Sequence, residues 1–138
     1  LSLLSTVAMC QVAVPPMRER RFGRVVAITS VSVRQPYPFL ILSNTARAGV
    51  TGFLKTLALE VAADGVTVNA LQPGYHATAR VTSLFGAEAD PVALGVPAGR
   101  LGDPAAFGRL AAMLASEHAS FVTGANLPVD GGQYQGLL

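Results

Sequence analysis

Three short strand-like runs, each following a helical stretch, constrain this chain most. They are Arg24-Val25-Val26-Ala27-Ile28-Thr29-Ser30, Val66-Thr67-Val68-Asn69-Ala70-Leu71 and Ala125-Asn126-Leu127-Pro128-Val129. The first is apolar without alternation, as a parallel strand covered on both faces must be. Residues 2–20, 42–63 and 104–117 carry helical patterning. The first of these is apolar nearly all round and so expects burial on two sides. Pro15-Pro16 should tighten its last turn, and Gly23 reads as its stop. Asp64-Gly65 closes the second helix. Asp103-Pro104 opens the third, a capping carboxylate followed by proline at the first helical position. Residues 31–41, with Pro36 and Pro38, read as a loop, and residues 75–99, with Pro91 and Pro97, as irregular chain. Strands alternating with helices imply an α/β fold with a parallel sheet and right-handed crossovers.

Composition narrows the class. The 138 residues suit one domain, and 51% are hydrophobic against 13% charged. That balance excludes a disordered segment, which needs few apolar groups, and a solvated coiled coil, which needs many charges. No apolar run reaches the roughly 18 residues of a membrane span. The apolar start lacks the charged beginning of a secretory signal. A lone Cys10 cannot close an internal disulfide, so a reducing, cytoplasmic setting is expected. Arg18, Arg20, Arg21 and Arg24 lack the stacking platform of a nucleic-acid surface and read as a solvated helix end. His76 and His118 stand alone, without the spacing of a metal site.

The motifs point further. Ile28-Thr29-Ser30, Thr56-Leu57-Ala58-Leu59-Glu60, Val68-Asn69-Ala70-Leu71-Gln72-Pro73-Gly74, Gly99-Arg100-Leu101-Gly102-Asp103-Pro104, Leu114-Ala115-Ser116, Val122-Thr123-Gly124 and Val129-Asp130-Gly131-Gly132 follow in one order. Each is weak alone; the ordered set resembles the C-terminal half of the short-chain dehydrogenase/reductase family, in the flavour of 3-oxoacyl-acyl-carrier-protein reductases. The resemblance implies half of a doubly wound Rossmann-type sheet. Residues 1–138 are then one incomplete domain, with the glycine-rich dinucleotide-binding half absent. It also implies NAD or NADP as cofactor and a ketone or alcohol as substrate. Homo-oligomers would form through the helices at 2–20 and 42–63, with no nucleic acid and no membrane involved.

Family roles carry over by position. Ser30 matches the serine that hydrogen-bonds the substrate carbonyl. The family's proton-delivering tyrosine stands thirteen residues on, where this chain has Ser43. Its lysine, which binds the nicotinamide ribose, falls at Arg47, and its asparagine aligns with Ser2. Pro73, Gly74 and Thr78 match the segment that contacts the nicotinamide, and residues 75–99 resemble the substrate lid. A serine hydroxyl cannot be tuned toward neutrality as a phenol can, and arginine stays charged. Ser43 and Arg47 still share one helical face, although Ser43 reads first as a helix cap. Tyr37, Tyr75 and His76 should flank the same cleft. Either tyrosine is a candidate surrogate phenol, and packing is the simpler role for all three. The chain is therefore an oxidoreductase of altered chemistry or a non-catalytic family member acting as a scaffold or partner subunit.

Overall fold

The computed structural model describes residues 2–137. The three runs form one parallel sheet in the order β1 (Gly23–Ile28), β2 (Val66–Pro73), β3 (Asn126–Val129). Gly23 stands opposite Val66 and Ile28 opposite Leu71, and Ala70 stands opposite Asn126. Four α-helices surround the sheet: α1 (Ser2–Glu19), α2 (Ile41–Val61), α3 (Ala79–Phe85) and α4 (Pro104–Ala115).

The period of two along the strands sorts the core into two layers. Val66, Val68 and Ala70 join Val25 and Ala27 against Cys10 and Val14 of α1 and Val50, Leu54 and Ala58 of α2. Leu71, Val26 and Val129 turn to the opposite face and meet Phe107, Leu110 and Leu114 of α4. Every residue of β2 except Pro73 is buried, as the middle strand of a helix-covered parallel sheet requires. Buried Asn69 donates to Val122 O (2.8 Å) and accepts from Ala125 N (3.0 Å), which pins the turn into β3.

The structure corrects three local expectations. Residues 75–99 are not wholly irregular. They contain α3, begun by Thr78, whose hydroxyl accepts from Val81 N at 3.4 Å. Seven residues among glycine, alanine and proline are too few to show a helical period. Residues 31–41 likewise contain a single 3-10 turn, Val31–Val33. Nor does Gly23 stop α1. The reversal is made by Arg21 at φ 56°, with Arg21 N donating to Arg18 O and Phe22 N to Met17 O, both at 3.1 Å. Arg21 is held there by its guanidinium, which donates to Asp64 (3.0 Å) and to Ala63 O (2.7 Å). Gly23 instead starts β1 where Met17 presses on it: a Cβ would lie 2.6 Å from Met17 Cβ. The remaining arginines of the cluster also donate to the chain's own acceptors. Arg18 reaches Asp64 at 2.6 Å, Arg20 reaches Phe22 O at 2.9 Å, and Arg24 reaches Ser116 O at 3.1 Å.

β1 has no strand on its outer side among the described residues. Along that edge runs a groove of about 500 Å³, walled by Thr6, Cys10 and Met17 of α1 and by Val25 and Ile28. Unpaired strand edges template further pairing. The purified chain should therefore self-associate, its mean mass by light scattering rising with concentration; a constant monomer mass would refute this.

Candidate functional site

Ligands of open parallel sheets bind beyond the carboxyl ends of the strands, and the candidate residues of this chain collect there. Ser30 follows β1 in extended backbone (φ −168°), and its Oγ accepts from Ser32 N at 3.0 Å, capping the Val31–Val33 turn. That bond fixes the oxygen and leaves the hydroxyl proton free to be donated.

Ser43 is not a cap. The cap position of α2 is Leu40, which offers no side-chain bond, and Ser43 lies inside the first turn. Asn44 ties that turn down instead, donating from Nδ2 to Tyr37 O at 2.9 Å. One turn beyond Ser43, Arg47 donates from Nε to Ser43 Oγ (3.3 Å) and from Nη1 to Thr29 O (2.5 Å) and Ile28 O (3.3 Å). The guanidinium thus grips the end of β1 immediately before Ser30. Ser2 lines the same groove as Arg47, Thr29 and Ile28.

The Pro73-Gly74 turn packs so closely that a Cβ on Gly74 would lie 2.6 Å from Gln133 Oε1 and 2.7 Å from Asp130 Cβ. A second groove, of about 280 Å³, brings Pro73, Gly74 and Thr78 together with Ile28 and is floored by Val81 and Phe107. Ile28 borders both grooves, and 60% of it is exposed. His76 also reaches this groove, but its ring stands edge-on to Phe107 (5.1 Å, 86°) and its Nδ1 lies 3.2 Å from Gly74 O. A Cβ on Gly102 would lie 2.5 Å from His76 Cδ2, so the ring packs directly on that glycine.

Tyr37 and Tyr75 stack in parallel at 6.0 Å, and Phe85 of α3 meets Tyr75 edge-on at 5.2 Å. The Tyr37 hydroxyl is buried and has no hydrogen-bond partner among the described residues. Burial above all, and then Tyr75 and the Asp130 carboxylate, push its pKa far above that of an ordinary phenol. Asp130 itself is a turn residue, accepting from Gly132 N (3.0 Å) and Tyr134 N (2.8 Å). The far end of the 75–99 segment leads into buried Val96, and Ala98 N donates to Gly131 O at 3.0 Å.

Two further side chains shape the site. Arg34 donates to Gln72 Oε1 (2.8 Å) and Asn126 O (2.9 Å), with its guanidinium 5.3 Å from the centre of the Tyr134 ring. It clamps β2, β3 and the final segment together. Gln133 carries a buried amide oxygen with no hydrogen-bond partner among the described residues. The one sequence signal for the clamp is Gln72, a polar residue closing an otherwise apolar strand.

Comparison with known proteins agrees with this fold. The family model described as enoyl-(acyl carrier protein) reductase matches residues 1–134. The chain belongs to the short-chain dehydrogenase/reductase family. It is 39% identical over 133 residues to a 3-oxoacyl-[acyl-carrier-protein] reductase of Haemophilus influenzae, covering 96% of this chain and 55% of that protein. It is 40% identical over 119 residues to an acetoacetyl-CoA reductase of Shinella zoogloeoides, covering 86% and 49%. Among solved structures, YwfH, described as an NADPH-dependent reductase involved in bacilysin biosynthesis, superposes with a TM-score of 0.90. The identity is 27%, and 98% of this chain and 56% of that chain are covered. ElxO with NADP bound gives 0.87 at 27% identity, covering 96% and 54%. The chain spans about half the length of the curated relatives it matches. No described helix is long and apolar enough to cross a membrane.

Proposed function

We propose that this chain forms the carbonyl-binding half of an NAD(P)-dependent oxidoreductase that reduces a ketone, such as a 3-oxoacyl thioester, or oxidises the matching alcohol. The observation that carries the reading is Ser30, whose hydroxyl is oriented by Ser32 N–H at the carboxyl end of β1. The groove of Ile28, Pro73, Gly74 and Thr78 suits the nicotinamide end of the cofactor, offering apolar walls for a flat ring and a polar rim for its amide. Ile28, Val81 and Phe107 would hold the ring and Thr78 the amide. Bound there, the nicotinamide supplies the hydride. Ser30 donates a hydrogen bond to the carbonyl oxygen as charge develops on it. Arg47 holds the strand end that aims Ser30, through Thr29 O and Ile28 O. With serine at position 43, the proton comes from Tyr75 or from water. Tyr37, held firmly neutral, is suited to donating a hydrogen bond.

The outward apolar residues of α1 (Leu4, Met9, Val12) and α2 (Leu42, Leu59) would pack against a second copy. A non-catalytic role is favoured by one observation: Arg47 is engaged by backbone carbonyls, where the family's lysine binds ribose.

Titration of the native-length protein with NADPH separates the readings. Enhanced nucleotide fluorescence, with turnover of acetoacetyl-CoA that falls about 10²–10³-fold in Ser30→Ala, is expected. Absence of any fluorescence change sinks the reductase reading.

A further inference from the structure

All three tyrosines of the chain, Tyr37, Tyr75 and Tyr134, stand around one cavity of about 240 Å³. Val31, which follows Ser30, and Leu94 of the 75–99 segment complete its apolar walls. Its other polar walls are glutamine amides, and none of the described residues that wall it is charged. An apolar cavity of about 150 Å³ already holds one benzene ring, so this one has room for a six-membered ring and its tether.

The aromatic frame is built before any ligand arrives. Tyr37 and Tyr75 lie parallel within 5°, their centres 6.0 Å apart, and Phe85 braces Tyr75 edge-on at 5.2 Å. Asn44 Nδ2 holds the Tyr37 carbonyl. Tyr134 is held by its backbone N, which donates to Asp130 at 2.8 Å, and by the Arg34 guanidinium 5.3 Å from its ring centre. The Tyr37 hydroxyl is buried, so what this half-buried residue offers is not its polar tip. Rings held in advance lose little freedom on binding.

We propose that this cavity binds a flat, uncharged aromatic ring of the ligand, packed against the tyrosine rings. The proposal rests on the reductase reading only in calling that ligand the substrate, which is then a ketone that carries an aromatic ring. Other occupants match the walls less well. A saturated ring or alkyl chain lacks the complementarity of π face and ring edge that aromatic pairs gain beyond buried area. A cation would use the same rings, but Arg34 already sets a positive charge over Tyr134. A carboxylate would find no cation in the walls and would be repelled by Asp130, whose charge acts on Tyr37.

The test compares benzyl alcohol with cyclohexylmethanol, which differ only in the ring, and with benzyltrimethylammonium, which adds a cation. Each is titrated into the native-length protein and followed by amide NMR. Saturable shifts around residues 31–37, 75 and 134–135 are expected with benzyl alcohol, at an affinity about three- to tenfold above that of cyclohexylmethanol. Hydrophobicity alone predicts the reverse, because the saturated ring has more apolar surface. Benzyltrimethylammonium should bind more weakly than benzyl alcohol. In Tyr75→Leu and in Tyr37→Leu the preference for benzyl alcohol over cyclohexylmethanol should collapse toward equality, whereas a merely loosened cavity would weaken both alcohols alike and keep their ratio. Equal affinities in the native protein, no saturable shift, tighter binding of the cation, or an unchanged ratio in either folded variant overturns the proposal. Either variant suffices if the other fails to fold. Because no turnover is read, failure of NADPH to bind leaves this result standing, and failure here leaves the reductase reading intact.

Discussion

Installing the phenol and the ammonium together, Ser43→Tyr with Arg47→Lys, is expected to accelerate ketone reduction by the native-length protein about 10²–10⁴-fold. That is the range a positioned general acid contributes. Carbonyl reduction needs a proton on oxygen, and this site presents a serine hydroxyl at the position one turn before Arg47. A tyrosine there would carry its hydroxyl on the same helical face, toward the end of β1, where Arg47 now donates to Thr29 O and Ile28 O. A lysine at 47 would lower the phenol's pKa and supply a proton path that a permanently charged guanidinium cannot. The exchange has a cost. Thr29 is buried, and its carbonyl would exchange a guanidinium donor for a shorter ammonium. The single variant Arg47→Lys should therefore lower kcat without much change in KM, because it loosens Ser30 and leaves substrate contacts in place. The measurement is NADPH consumption with acetoacetyl-CoA. A double variant no faster than the native protein would show that more than the acid is missing.

Much of the fold was legible because it rests on long, strongly patterned segments. The run from Arg24 to Ser30 can be little but a covered parallel strand, and the Leu54-to-Val61 face of α2 follows the helical period that packs it on β2. The site was legible where a residue's position along a strand fixes where it projects, as for Ser30 and the Pro73-Gly74 turn. The sequence was silent wherever tertiary contacts decide. Arg34 is an ordinary loop arginine until Gln72 and Asn126 O stand beside it. Arg21 adopts a backbone suited to glycine because Asp64, over forty residues away, holds its side chain. Ser43 has a capping residue's chemistry, but α2 begins earlier, at Ile41, so its hydroxyl faces Arg47. Burial likewise cannot be counted from one residue type: Tyr37 and Tyr75 look alike in sequence, and only the fold leaves the Tyr37 hydroxyl buried, without a hydrogen-bond partner among the described residues.

Gly65→Ala should destabilise the chain by about 2–4 kcal/mol, a large share of the roughly 5–15 kcal/mol that holds a domain folded. Gly65 sits at φ 75° directly before β2, where an L side chain is strained. A Cβ there would lie 2.3 Å from Arg21 O, a backbone atom that no rotamer change can move. The same glycine offers its own carbonyl to Gly23 N (3.4 Å) and Arg24 Nη1 (3.3 Å), so pushing the chains apart also breaks the first link between β1 and β2. Gly108→Ala provides the opposite sign: it is exposed in α4 with nothing within 4 Å of the added carbon, and should gain about 0.5–1 kcal/mol. Urea midpoints measure both, and equal midpoints for Gly65→Ala and the native chain would mean the crossing at Arg21 is not as tight as described. The consequence reaches the site. The β1–β2 register begins at Gly23 opposite Val66, one residue after Gly65, and a slip of one residue turns every side chain of β1 to the other face. Ser30 would then leave the carboxyl-end cleft, so the glycine at the far end of the sheet sets where the candidate catalytic hydroxyl stands.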